Sequence, residues 1–214
     1  MLNIQRFVCN MFHENTYVVS DETKECVIID CGALYPEERK AIIDYISNNH
    51  LKPIHLLGTH GHVDHHFGDN ALFEAFGLKP EVHRADERLM GCLPEQVEAI
   101  AGMTYTEAIP SVGKYFSDDD TFAFGNHLLQ VIPTPGHTPG GVFFYCEAEN
   151  TAFSGDTLFH RSIGRSDLEG GSMFMLIQSL RMVCQLPDRT RIYPGHGPET
   201  TIGTELAENP YLDR

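Results

Sequence analysis

Apolar residues along this 214-residue chain come in short runs, and the spacing within each run separates strands from helices. Cys26-Val27-Ile28-Ile29 is a continuous apolar run closing on Asp30-Cys31-Gly32, the pattern of a strand buried on both faces that ends at a turn. Ile54-His55-Leu56-Leu57, after Pro53, predicts a second buried strand. Leu2 to Cys9 alternates loosely and Tyr17 to Ser20 is β-rich, with Asn10 to Glu14 as their hairpin connection. Helical spacing predicts a helix opened by Pro36 and running to about Asn48. Its inner stripe is Ala41, Ile42, Tyr45 and Ile46, and Glu37-Glu38 lie at its positive end. A second helix is predicted over Gly68 to Gly77, with Leu72, Phe73 and Phe76 in register, followed by a short strand over Pro80 to His83.

In the second half, Phe122 to Pro133 and Gly141 to Phe153 read as strands, with Gly125-Asn126 as a hairpin turn. Met173 to Leu186 is the clearest helix, its stripe being Phe174, Ile177, Leu180 and Val183 or Cys184. Ile192-Tyr193 is a last short strand, and Thr200 or Thr201 caps a helix through Ala207. Asp118-Asp119-Asp120 fits a solvated turn. From Ala85 to about Ser117 the pattern weakens: Pro94 to Ala101 suits a helix, while Met90, Met103 and Tyr105 follow no period. That length of irregular chain predicts a mobile flap over a site. Strands and helices recur in both halves without a linker or repeat, which predicts an α/β (α+β) architecture of two sheets sandwiched between helices.

Bulk properties narrow the setting. Apolar residues make up 42% of the chain and mean hydropathy is −0.22, values of a globular protein with a sizeable core. No window approaches 18 uncharged apolar residues, and Met1 to Asn10 lacks a signal-peptide pattern, so the expected location is cytoplasmic, away from membranes. Six dispersed cysteines (Cys9, Cys26, Cys31, Cys92, Cys146, Cys184) form no C-x-x-C pair and read as reduced core residues. The formal charge of −15 repels phosphate backbones and argues against a nucleic-acid partner.

Candidate chemistry is concentrated in Thr59-His60-Gly61-His62-Val63-Asp64-His65-His66, directly after a predicted strand. His60, His62, Asp64 and His65 are four potential metal ligands within six residues. A strand followed by a turn lets His60 and His62 point one way and Asp64 and His65 another. Imidazole with carboxylate suits zinc, iron or manganese. Three later loops each place one ligand after a glycine at a strand end: Gly136-His137, Gly155-Asp156 and Gly195-His196. Sites in layered α/β folds gather at strand ends, where one pocket can collect all of these groups.

The order H-x-H-x-D-H, then His137, Asp156 and His196, resembles the metallo-β-lactamase superfamily over nearly the whole chain, from Asp30-Cys31-Gly32 to His196. Within it, Gly155-Asp156-Thr157-Leu158-Phe159, the segment from Ser162 to Gly171, and Pro194 to Glu205 are most similar to the glyoxalase II group, hydroxyacylglutathione hydrolases and their shorter relatives. The resemblance implies a four-layer αββα sandwich, with residues 1–214 as one metallo-β-lactamase-fold domain. It implies two divalent ions, zinc first, with iron or manganese as alternatives. His60, His62 and His137 would hold the first, Asp64, His65 and His196 the second, and Asp156 would bridge them. Asp64 and Asp156 take the catalytic roles by orienting a metal-bridging hydroxide.

The implied activity is hydrolysis of a small-molecule thioester, S-lactoylglutathione or a related hydroxyacyl thioester; the alternative is a mononuclear-iron persulfide dioxygenase. Glyoxalase II proper adds a C-terminal helical domain with cationic contacts to glutathione. Only residues 197–214 follow His196 here, without lysine, so glutathione recognition is the doubtful point. Arg165 and Asp167 suit either an ion pair beneath the metal loop or a structural turn. His66 reads as packing or support, and Tyr17, Phe159 and Met173 as pocket or core.

Overall fold

The computed structural model describes residues 1–102, 104 and 108–212, without the side chains of Ile100 and Ala101. β1 (Asn3–Cys9) and β2 (Glu14–Ser20) form an antiparallel hairpin, and β2 pairs antiparallel with β3 (Glu25–Ile29). α1 (Pro36–Asn48) crosses to β4 (Lys52–Leu57), parallel to β3, and α2 (Asp69–Phe76) crosses to β5 (Pro80–His83). A 3-10 turn (Arg84–Asp86), α3 (Glu87–Met90) and α4 (Leu93–Ala101) precede β6 (Lys114–Phe116), parallel to β5.

The second sheet contains β7 (Thr121–Phe124), β8 (His127–Pro133), β9 (Val142–Cys146), β10 (Thr151–Gly155), β13 (Arg191–Pro194) and β14 (Thr200–Thr201). β11 (Leu158–Phe159) and β12 (Ser162–Ile163) make a small ribbon, and α5 (Met173–Val183) and α6 (Ile202–Glu208) cover this half. Among the described residues the first sheet runs β1-β2-β3-β4-β5-β6 and the second β14-β13-β10-β9-β8-β7.

The continuous apolar runs exist because both faces of their strands are covered. Val27 and Ile29 of β3 join Tyr17, Phe116, Phe144 and Phe153 between the sheets, while Cys26 and Ile28 meet Ile42, Ile46 and Leu72 of the outer helices. In β9, Phe144 faces the inter-sheet layer, and Phe143 and Tyr145 meet Leu176, Leu180 and Ile202. The architecture is the expected αββα sandwich. Among the described residues no helix is long and apolar enough to cross a membrane.

Several expectations are corrected. β4 is buried only at Leu56 and Leu57, the two residues that β5 pairs; Ile54, beyond that pairing, is 36% exposed. In α1, Ala41 faces solvent and the buried positions are Ile42 and Ile46. In α5 the inner face is Leu176, Leu180 and Val183, and Phe174 is 72% exposed. That phase is set where α5 meets the 134–141 loop: Gly136, at φ 145°, lies so close that a Cβ there would strike the Leu176 backbone. Residues 85–102 are largely helical, not an irregular flap. Met103 and Tyr105 lie outside the described residues. None of the six cysteines forms a disulfide, as expected, but Cys92 and Cys184 are only half-buried. Tyr17 is core, its hydroxyl donating to Pro194 O at 2.7 Å. Thr201 caps α6, accepting from Thr204 N at 3.1 Å.

At the end of the sandwich away from the β2 start, Asp21 ties the two sheets together. Its carboxylate accepts from Thr23 N (2.9 Å), Thr23 Oγ1 (2.5 Å) and Asn126 N (2.7 Å), and faces His127 Nδ1 at 3.0 Å. Burial opposes ionisation, but the hydrogen bonds from Asn126 and Thr23 outweigh it and hold the carboxyl below the usual range. The folded pKa is therefore below the unfolded value of about 3.9, so the stabilisation is complete above that value and is lost as pH falls through the folded one. Asp21→Ala is expected to cost about 2–3 kcal/mol in urea unfolding at neutral pH, with the difference from wild type shrinking below about pH 4.

Candidate metal centre

Strand pairing assembles the site before any side chain is considered. β3 and β4 run parallel with Ile29 opposite Leu57, so the residues just beyond, Asp30 and Thr59, are neighbours. β10 and β13 run parallel with Gly155 opposite Pro194, which sets Asp156 beside His196. The loop after β8 adds His137. All the predicted ligands leave strand ends on one edge of the sandwich.

The donor atoms converge in two groups. His60, His62 and His137 offer ring nitrogens within 4.8 Å of one another, as do Asp64, His65 and His196 with their donor atoms. His62 Nδ1 lies 2.9 Å from His137 Nε2, and His196 Nε2 lies 3.3 Å from Asp64 Oδ2. Asp156 sits between the groups: Oδ1 is 3.5 Å from His65 Nε2, and Oδ2 is 3.6 Å from both His137 Nε2 and His196 Nε2. The structure thus brings together all seven predicted residues. Close approach depends on Gly195, where a Cβ would collide with Asp156 Oδ1.

The rings are held from behind. His65 Nδ1 donates to Asp30 Oδ2 (2.9 Å), His137 Nδ1 to Arg165 O (2.7 Å) and His196 Nδ1 to Phe12 O (2.9 Å). The Thr59 hydroxyl donates to Asp30 Oδ2 at 2.9 Å, which leaves its oxygen to accept from His60 Nδ1 at 3.1 Å. These bonds fix the tautomer and turn Nε2 of each ring inward. Buried His60 Nε2, His65 Nε2 and Asp156 Oδ1 have no hydrogen-bond partner in the protein. Buried polar atoms without a partner are costly, and divalent cations satisfy such atoms; the donor set fits them.

Electrostatics agrees. Burial, reinforced by neighbouring imidazoles, pushes His60 well below its ordinary value, and burial with His137 brings His62 to about 4, so both rings are neutral at pH 7. For His65, burial is outweighed by Asp64, Asp30 and Asp156, which raise it; for His196, burial is outweighed by the hydrogen bond to Asp64. Asp156 is depressed despite its burial, chiefly by His65. Glu14, beneath the site, is raised by burial; its Oε2 accepts from Gly32 N and Thr16 Oγ1.

Supporting residues were only partly visible in the sequence. His66 is bound to Asp69 (2.8 Å) and to His60 O (2.9 Å), the support role expected of it. Arg165 and Asp167 do pair, through two 2.8 Å hydrogen bonds, but on the exposed surface; what reaches the site is the Arg165 carbonyl. Phe159 stands edge-on to His196, and Met173 is half-exposed at the start of α5.

Asp86 was missed altogether. Fully buried, it accepts from Gly61 N (2.8 Å), Thr138 Oγ1 (2.8 Å) and Gly140 N (2.6 Å), joining the His60–His62 loop to the His137 loop. Gln96 of α4 adds bonds to Gly61 O and Val63 N. No metal-ligand motif marks either residue. Both sit among other charged residues, Arg84, Glu87 and Arg88 around Asp86 and Glu95 and Glu98 around Gln96, so local sequence does not single them out.

The fold and the paired histidine–aspartate clusters define a metallo-hydrolase sandwich. Residues 10–196 match the model of the metallo-β-lactamase superfamily, and the chain belongs to that superfamily. It is 32% identical to the hydroxyacylglutathione hydrolase GloC of Haemophilus influenzae, over 99% of each chain. Among solved structures it is similar to the BLEG-1 B3 metallo-β-lactamase (TM-score 0.90, 32% identity, 99% of this chain and 100% of the other). It is also similar to TTHA1623 in a di-iron-bound form (TM-score 0.86, 34% identity, 97% and 100%).

Removing the Asp86 brace is expected to weaken metal binding by about 10- to 100-fold. Asp86→Ala should show this in competition titrations against a chromophoric chelator, while far-ultraviolet circular dichroism stays that of wild type. Asp86→Asn, which keeps an acceptor but can satisfy fewer donors, should fall between the two.

Proposed function

We propose that the protein is a binuclear metal-dependent thioester hydrolase acting on small 2-hydroxyacyl thioesters. The observation that carries this reading is Asp156, a carboxylate within 3.6 Å of ring nitrogens belonging to both donor groups. His60, His62 and His137 would hold one ion, Asp64, His65 and His196 the other, with Asp156 shared. Such ions supply Lewis acidity and lower the pKa of bound water to about 7. The name of the Haemophilus relative supports the choice of thioesters.

The chain's own part is positional. Asp30 and the carbonyls of Phe12 and Arg165 hold the ring planes, so the donors need not reorganise when a substrate carbonyl arrives. Asp64 and Asp156, whose Oδ2 atoms lie 3.3 and 3.6 Å from His196 Nε2, would orient the reacting water. A thiolate leaves without an added proton, so the reaction asks no general acid of the chain.

In the metal-free protein the carboxylates raise the proton affinity of His65 and His196, so a cation competes with protons for these rings. Metal affinity should therefore rise with pH, with proton release visible as a buffer-dependent enthalpy in calorimetry. Protein purified without added metal should contain about two ions per chain by mass spectrometry. It should cleave S-lactoylglutathione or a simpler lactoyl thioester, and lose that activity on chelation. Asp156→Asn should lower kcat by at least about 100-fold and reduce the metal content. A single iron with oxygen uptake from a persulfide, or β-lactam cleavage without thioester cleavage, would overturn the reading.

A further inference from the structure

A cavity of about 290 Å³ opens beside the metal centre; its lining includes His62, Leu89, Glu95, Gln96, Ala99, Leu168 and Glu169. It lies at the small end of ligand pockets, which run from roughly 300 to 1,000 Å³. The space suits one arm of a substrate extending past His62. Leu89, Ala99 and Leu168 give it apolar walls. α4, which forms one side, is fixed to the ligand loop by Gln96, so the cavity has a preset relation to the donors.

Its charge is one-sided. α3, α4 and residues 164–171 together carry the carboxylates Glu87, Glu95, Glu98, Asp167 and Glu169 against two cations, Arg88 and Arg165. Both cations are already matched: Arg88 forms an ion pair with Glu169 across the cavity rim, and Arg165 is bound through two hydrogen bonds to Asp167. Among the described lining residues there is no lysine or arginine, and Glu95 has no cationic partner there. An anionic arm entering this cavity would meet like charge and no free donor cation, whereas a neutral or cationic arm would not.

Resting on the thioester reading above, we propose that this cavity selects 2-hydroxyacyl thioesters whose thiol part is uncharged or cationic, and disfavours thiol carriers bearing free carboxylates or phosphates. Selection then comes from repulsion as much as from contact, and it follows the sign of the whole protein, −15.

The test compares the lactoyl thioesters of N-acetylcysteamine (neutral), thiocholine (cationic) and glutathione (anionic) on the metal-loaded full chain, each rate divided by that ester's own hydroxide-catalysed rate. The neutral and cationic esters should exceed the glutathione ester by at least about tenfold in kcat/KM, mainly through KM, with the gap narrowing in about 0.5 M salt. Glu95→Gln, and Glu169→Gln, which frees Arg88, should each shift the ratio toward the glutathione ester. A glutathione ester cleaved as well as or better than the other two, or a ratio indifferent to salt and to both substitutions, would overturn the inference while leaving the thioesterase reading intact. Cleavage of none of the three by metal-loaded protein would overturn both.

Discussion

Asp30 is the residue on which the metal centre most depends. It stands just past the end of β3 in the left-handed region (φ 55°), and one carboxylate oxygen accepts from Thr59 N at 2.7 Å. The other accepts from the Thr59 hydroxyl and from His65 Nδ1. Through Thr59 it orients His60, which belongs to the first donor group, and directly it orients His65, which belongs to the second. One buried carboxylate thus sets the tautomers of a ring in each half of the site. The backbone places it there through the parallel register of β3 on β4, so the chemistry inherits its precision from sheet geometry rather than from loop packing.

This arrangement explains why the sandwich must be thick. Crowding imidazoles and carboxylates into a buried edge leaves His60 Nε2, His65 Nε2 and Asp156 Oδ1 unsatisfied by protein. A loosely packed scaffold would relieve that cost by letting the rings turn outward. Here helices cover both outer sheet faces and an aromatic-rich layer fills the interior, so the loops that leave the strand ends have fixed roots. Tyr17, whose hydroxyl binds Pro194 O, carries that rigidity from the core to the start of the His196 loop.

The fold class and four of the seven donors, His60, His62, Asp64 and His65, were legible as local patterns, whereas His137, Asp156 and His196 were implied by the resemblance to the metallo-β-lactamase superfamily. Apolar runs report covered strands, and H-x-H-x-D-H reports a ligand turn, without knowledge of partners. What escaped is nonlocal. The reach of Asp86 to Gly61, Thr138 and Gly140 spans up to 54 positions and leaves no spacing to read. The expectation of an irregular segment failed at residues 85–102 because its short helices are held by such distant bonds, which a periodicity argument cannot see. The stripe of α5 held at Ile177, Leu180, Val183 and Cys184 and failed only at Phe174, which continues the i, i+3 spacing but is exposed while Leu176, against Gly136, is buried. Arg165 drew notice for its charge, while its function in the site belongs to its carbonyl, which any residue there could offer.

The same distant bonds join two properties that are usually discussed apart. α4 lines the cavity beside His62 through Glu95 and Ala99, and through Gln96 it grips Gly61 O and Val63 N on either side of that histidine. Asp86, immediately before α3, grips Gly61 from the other direction. A substitution that reshapes the cavity by moving α4 must therefore also move the loop that presents His60 and His62. Glu95 and Ala99 can change without that penalty, because the grip belongs to Gln96, which also lines the cavity. On the proposed role of the cavity, changes of charge and size at positions 95, 99 and 169 are expected to alter substrate preference while the backbone of the helix stays where the metal centre needs it.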